Sequence, residues 1–215
     1  MGAHSVQFYE DDTFLIKGLS DFVGSALAAG DTAIAIATGE HLARVEKSLK
    51  ARGLLDAEAK ALRGQYIRLD ADLALPLFLE DGLPDELRFR DTIGNVILDA
   101  SETHEGKLFV FGEMVALLWA HPHSPAPIRR DAAVYVEQYF NNLLSHFSFT
   151  LVCAYPLSAF PSAADTGAFH EVCSLHTDVL PAESVDPNWP HDALQRTIAG
   201  LQQQAHALGR EVHDR

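Results

Sequence analysis

Residues 109–119, FVFGEMVALLW, constrain the fold more than any other stretch of this chain. An apolar strand runs into Gly112 and Glu113, and an apolar helix begins directly afterwards. The carboxylate at that junction neighbours Met114, Leu117, Leu118 and Trp119 in sequence. An unpaired buried charge is costly unless a partner or ligand compensates it. Ligands of open α/β sheets bind outside the carboxyl ends of the strands, so Glu113 marks a candidate pocket floor. The competing reading is that Glu113 caps the next helix, since helix N-termini favour acids, or pairs with an arginine such as Arg88.

The rest of the chain repeats the strand-then-helix pattern. Residues 4–9 alternate, with Val6 and Phe8 on one face, and read as a first strand. Asp11, Asp12 and Thr13 open a helix in which Phe14, Leu15, Leu19, Phe22, Val23, Ala26 and Leu27 keep helical spacing up to Gly30. TAIAIAT, residues 32–38, suits a central strand buried on both faces. Helices are predicted over 39–52 and 56–62, a strand over 66–69 ending on Asp70, and a short helix over 73–79. A turn at 81–84, a helix over 85–100 and a strand over 107–112 follow. The helix after Gly112 is interrupted by a proline-rich loop at 121–127, and a long amphipathic helix covers 128–146. A strand over 149–155 stops at Pro156, and a helix over 164–176 precedes an irregular stretch at 180–190. The alternation predicts an α/β fold: a mostly parallel sheet with helices on both faces. Strand order does not follow from it.

The tail carries a second pattern. Leu194, Ile198, Leu201, Ala205, Leu208 and Val212 are spaced alternately four and three residues apart, a heptad seam. Gly200 and Gly209 each weaken that helix by about 1 kcal/mol relative to alanine, so the seam is expected to extend a homodimer formed by the main domain. The other reading is an amphipathic helix folded back on its own domain. We divide the chain into a domain over 1–184 and a linker with C-terminal helix over 185–215.

Composition narrows the function. Sixteen basic against thirty acidic residues leave a formal charge of −14, which disfavours nucleic-acid phosphates and anionic membranes as partners. No apolar run reaches spanning length, and the N-terminus lacks the basic and apolar regions of a signal peptide. Only Cys153 and Cys173 occur, which fits a reducing cytoplasm. The P-loop, the GxGxxG fingerprint, the GxSxG elbow and HExxH are all absent from the sequence. Cys173 and His176 form CxxH without a second half, and His121 and His123 flank a proline. Neither makes a metal motif, and no metal or cofactor is expected.

His4, Asp11, Asp12, Glu40, His41, Asp70 and Glu113 each fall near a strand end, most of them on the one edge that carboxyl ends share in a parallel sheet. His4 is the exception, at the start of its strand. Tyr9, Trp119 and Tyr155 would add aromatic walls, and Arg88, Phe89 and Met114 complete the expected ligand-binding set. A mostly apolar crevice with a few convergent polar groups is the usual form of a small-molecule site. For Asp11, Asp12 and Glu40 the competing role is helix capping.

Together these residues resemble the MEDS domain, the methanogen/methylotroph DcmR-type sensory domain. The similar blocks are His4-x-x-x-Phe8-Tyr9 with Asp11-Asp12 and Phe14-Leu15, then Ala37-Thr38-x-Glu40-His41, Tyr66-x-x-Leu69-Asp70-Ala71 and Pro84-Asp85-x-x-Arg88-Phe89. Gly112-Glu113-Met114-Val115-Ala116-Leu117-Leu118-Trp119 is the most distinctive. Glu137, Asn141-x-Leu143, Cys153-Ala154-Tyr155-Pro156, Cys173-x-x-His176-Thr177 and Pro181-Ala182-Glu183 continue the likeness to about residue 184. The resemblance implies a RecA/KaiC-like fold without nucleotide loops and a sensory module for hydrocarbon derivatives or other small organic ligands. Such modules join histidine-kinase, PAS, anti-sigma-type ATPase or DNA-binding outputs, and the tail resembles the helix leading into them. Two departures stand out: no output domain follows Arg215, so an excised or stand-alone sensor is expected, and Phe140 stands where the family commonly has tryptophan.

The expectation is therefore a non-catalytic, cytoplasmic sensory domain, with a small organic ligand over Glu113 and a C-terminal helix relaying its state to a histidine kinase or other signalling partner. Glu113 would accept a hydrogen bond from the ligand or Arg88. His4, Tyr9 and His41 would orient the ligand, and Phe89, Met114 and Trp119 would supply apolar area. One alternative is a ligand-free interaction module that regulates a kinase or anti-sigma-type partner. Another is an enzyme using Glu113 with His4 or His41 as an acid–base pair.

Overall fold

The computed structural model describes residues 2–55, 65–120, 125–182 and 193–213. Its frame is a six-stranded sheet in the order β3-β2-β6-β7-β1-β8 in which every neighbouring pair is parallel. The strands are β1 (Ala3–Tyr9), β2 (Thr32–Ala37), β3 (Tyr66–Asp70), β6 (Leu108–Gly112), β7 (Thr150–Pro156) and β8 (Asp178–Leu180). β2 is buried at every position between β3 and β6, as its unbroken apolar run requires.

Helices cover both faces. α1 (Asp12–Ala28) and α2 (Gly39–Ala51) pack on one, where Leu15, Leu19, Val23, Leu42 and Val45 meet Ala33, Ala35, Ala37 and Phe111. The small alanines of β2 let those helices approach closely. Both start on side-chain caps: Asp11 accepts from the Thr13 amide at 2.6 Å, and Thr38 Oγ1 from the His41 amide at 3.2 Å. The opposite face holds the larger core, with Val6, Phe8, Ile34, Ile36, Val110 and Leu151 against α3 (Ala71–Phe78), α5 (Asn95–Thr103), α6 (Met114–Ala120), α7 (Ala126–His146) and α8 (Thr166–Ser174).

Several expectations change in detail. The turn at 81–84 is a two-residue hairpin between β4 (Leu79–Glu80) and β5 (Leu83–Pro84), with Asp81 and Gly82 at φ 52° and 83° as that tight geometry demands. The helix predicted over 85–100 is α4 (Glu86–Phe89), a π turn at Arg90–Gly94, and α5. α7 begins inside the predicted proline-rich loop, because Pro125 and Pro127 are acceptable at a helix start. β8 was not foreseen: its three residues are too few for a period, and pairing with β1 makes the strand. The helix expected over 56–62 and most of the irregular stretch at 180–190 lie outside the described residues.

α9 (Ala193–His213) lies against α8 and β8 of its own domain. It turns a stripe of Gln195, Ala199, Gln203 and Ala207 inward. Gln203 donates to the carbonyls of Phe160 and Ser162, Gln202 bonds both backbone groups of Ala182, and Arg196 donates to the carbonyls of Cys173, His176 and Thr177. Folding back does not consume the heptad seam. Leu201 and Leu208 are each 60% exposed and Ile198 is half-buried, whereas the side chains of Leu194 and Val212 lie outside the described residues. No helix among the described residues is long and apolar enough to cross a membrane.

Candidate functional site

The connection from β2 runs through α2 on one face, and that from β6 runs through α6 and α7 on the other, in opposite directions along the sheet. The carboxyl ends of β2 and β6 therefore form a topological switch point, where open α/β sheets open a crevice. Ile36 pairs with Gly112 in the ladder, and the Glu113 amide donates to the Ile36 carbonyl at 2.8 Å. This last rung pins the Glu113 side chain under the start of α2. Its Oε2 accepts from the Thr38 amide at 3.2 Å, and His41 Nδ1 lies 2.9 Å from each carboxylate oxygen. His41 Nε2 faces Asp12 Oδ2 at 3.9 Å, so one imidazole stands between two acids. Its hydrogen bond to Glu113 raises the His41 pKa against the opposing effect of burial, and the charges of Glu113 and Asp12 add to the rise. Tyr9 closes the cluster from the end of β1. Burial first, then Glu113 and Asp12, push its phenol far above the ordinary value.

The structure thus brings Tyr9, Asp12, His41 and Glu113 together and adds Thr38. It gives Glu113 a histidine rather than Arg88, whose guanidinium is exposed and reaches Glu80 at 3.6 Å. Asp11 caps α1 and Asp70 caps α3, accepting from the amides of Thr13 and Asp72. Asp70 also lies close to α2: a Cβ at Gly39 would lie 2.7 Å from its Oδ2, so a side chain there would displace the Asp70 carboxylate. Glu40 is exposed in the first turn of α2. Phe89 packs edge-on against Phe78 and Phe140, and Met114 is fully buried; both belong to the large core rather than to the switch-point crevice. Trp119 is half-buried against Phe160 and Tyr155.

His4 and Tyr155 belong to a different cluster, sealed in the core between β1, β7, α7 and the end of α8. Glu137 is fully buried there. Its Oε1 accepts from the Tyr155 hydroxyl at 2.9 Å and faces His176 Nε2 at 3.4 Å. Its Oε2 accepts from the Cys153 thiol at 3.2 Å and faces His4 Nε2 at 3.2 Å. Burial opposes ionisation of Glu137, yet His176 and His4 outweigh it and hold the carboxyl well below the usual range. Burial, then Glu137, push the Cys153 thiol and the Tyr155 phenol well up. One donor atom each from His4, Glu137, Cys153 and His176 lies within 4.8 Å of all the others, an arrangement that could hold a metal ion.

Sequence reasoning did not select Glu137, Asn141, Cys153 or His176 as site residues, although each lies in a block of the resemblance. A signal was there for Glu137. Ala133, Val136 and Phe140 mark the apolar stripe of α7, and Glu137 sits on it, a carboxylate on the core face of a helix.

The family described as MEDS, MEthanogen/methylotroph, DcmR Sensory domain, matches residues 3–177, from the first strand to the threonine that follows His176. The chain belongs to the MEDS family. Both clusters fall inside the matched region. No curated protein matches the chain.

Proposed function

We propose that this MEDS domain is a non-catalytic, cytoplasmic sensor that binds a small organic ligand, such as a hydrocarbon derivative, at the switch point above Glu113. The observation that carries this reading is the His41 imidazole held between Glu113 and Asp12. It joins the starts of α1, α2 and α6 through groups that a polar ligand can compete for. A ligand that takes the place of His41 on Glu113 would favour an arrangement in which α1 and α2 are released from the sheet edge, and it acts only through its differential affinity for the two arrangements. The exposed Leu201 and Leu208 of α9 support a homodimer seam through which the change reaches a signalling or transcriptional partner. Two free, buried cysteines accord with a reducing compartment.

Native mass spectrometry of freshly purified protein, with no ligand added, tests this reading. The expected result is a dimer carrying an extra organic mass that a folded Glu113→Ala variant loses. Retention of that mass by the variant would remove Glu113 from the site. A second reading, an interaction module without a ligand, draws on an apolar groove of about 460 Å³ beside α1, lined by Phe14, Phe22, Phe109, Phe111 and Val152. A bare monomer would favour it.

A further inference from the structure

We propose that His4, Glu137, Cys153 and His176 form a binding site for one divalent transition-metal ion of the zinc class, distinct from the switch-point cluster.

The hydrogen bonds on the far side of each imidazole carry the argument. His176 Nδ1 lies 2.7 Å from the Val172 carbonyl, which can only accept, so Nδ1 bears a proton and a neutral His176 would turn the Nε2 lone pair toward Glu137. His4 Nδ1 lies 2.9 Å from Asn141 Oδ1. The Asn141 amide nitrogen donates to the Leu175 carbonyl at 3.1 Å, which fixes its oxygen toward His4. A neutral His4 would therefore also present its Nε2 lone pair inward. An outer N–H tied to an oxygen with the inner nitrogen left open is the habit of metal-ligating histidines.

With His4 and His176 neutral, the interior without a cation is short of protons. The two imidazole lone pairs would then face a carboxylate that only the Cys153 thiol and the Tyr155 hydroxyl donate to. His176 Nε2 is buried without a hydrogen-bond partner, on a residue only 4% exposed, and aims at Glu137. A divalent ion resolves this. One carboxylate, one thiolate, two neutral imidazoles and a 2+ ion sum to zero charge, which a sealed interior tolerates.

The spacing fits. In a tetrahedral site with bonds of about 2.0–2.3 Å, donor atoms stand about 3.3–3.8 Å apart. His4 Nε2, Cys153 Sγ and Glu137 Oε2 already form a triangle with edges of 3.4, 3.2 and 3.2 Å. His176 Nε2 completes the set within 4.8 Å of the others. Nitrogen and sulfur donors together select a zinc-class ion over magnesium or calcium. On binding, the metal–sulfur bond replaces the Cys153 S–H bond and the proton leaves to solvent. The four residues come from β1, α7, β7 and the segment after α8, so the ion would clamp the centre of the sheet to the helices on one face.

Cobalt(II) is the probe. The full-length, tag-free chain is stripped of metal under reducing, anaerobic conditions and titrated with Co²⁺. The expected result is one equivalent bound, with visible d–d bands of tetrahedral intensity, a near-ultraviolet thiolate-to-cobalt band and a raised Tm. Cys153→Ser should lose the thiolate band. Asn141→Ala, which leaves all four ligands in place, should weaken binding by about 10–100-fold. A wild-type protein that shows no cobalt spectrum and no change in Tm overturns the proposal, and the cluster is then a hydrogen-bond network carried by an imidazolium. Cobalt bound without a thiolate band, or a thiolate band that persists in Cys153→Ser, overturns it equally.

Discussion

The molecule contains two carboxylate–histidine clusters that solve the same electrostatic problem in opposite ways. At the switch point Glu113 is answered by His41 and by the Thr38 amide, and the outer acid, Asp12, stands in solvent. In the core Glu137 is ringed by His4, His176, Cys153 and Tyr155, each of them buried. In the proposed function the first is where a ligand arriving from solution would compete. The second is closed to solvent, so any exchange there requires local opening of the fold. Both carboxylates are buried; what differs is the outer edge, where Asp12 reaches solvent at the first cluster and no member of the second does.

The sharpest test of that contrast is to remove each carboxylate. Glu137→Ala should cost about 3–5 kcal/mol, the penalty for breaking a buried ionic cluster and stranding its partners, read as a large loss of stability in urea or heat. Glu113→Gln should cost less, about 1–3 kcal/mol, because it weakens a charge-assisted hydrogen bond at a site with access to water. Equal costs would erase the distinction.

A second test uses pH. The His41 pKa is raised in the folded state, so its contribution to stability is fully present below the unfolded value of about 6.5 and is lost as pH rises through the higher folded value. Stability measured by urea titration should therefore fall across that window on the alkaline side, and Glu113→Gln should flatten the profile. The smallest effect belongs to Asp12→Asn. That carboxylate is largely exposed and 3.9 Å from His41, so the change should stay within about 0.5 kcal/mol while lowering the midpoint of the His41 titration followed by NMR.

How much of this could be read beforehand depends on the residue. TAIAIA could only be a central strand, and the expense of a carboxylate in GEMVALLW singled out Glu113. Its partner could not be read, because choosing His41 over Arg88 requires knowing that β2 lies beside β6. His4 stands apart from the edge residues, at the start of its strand, and strand register puts it in the core. There Val6, two residues on, lies level with Cys153. The leucine seam was legible as a pattern, but not the inward stripe of glutamine and alanine that lets α9 dock and still leave Leu201 and Leu208 outward.

Arg196 gives that docking a mechanical meaning. Its guanidinium grips the carbonyls of Cys173, His176 and Thr177 at the point where α8 ends. The C-terminal helix is thus hitched to the backbone of the same histidine that reaches Glu137. The core cluster and α9 share one stretch of backbone, so a shift of His176 would reach α9 through that grip. Leu201 and Leu208 stand outward further along the same helix.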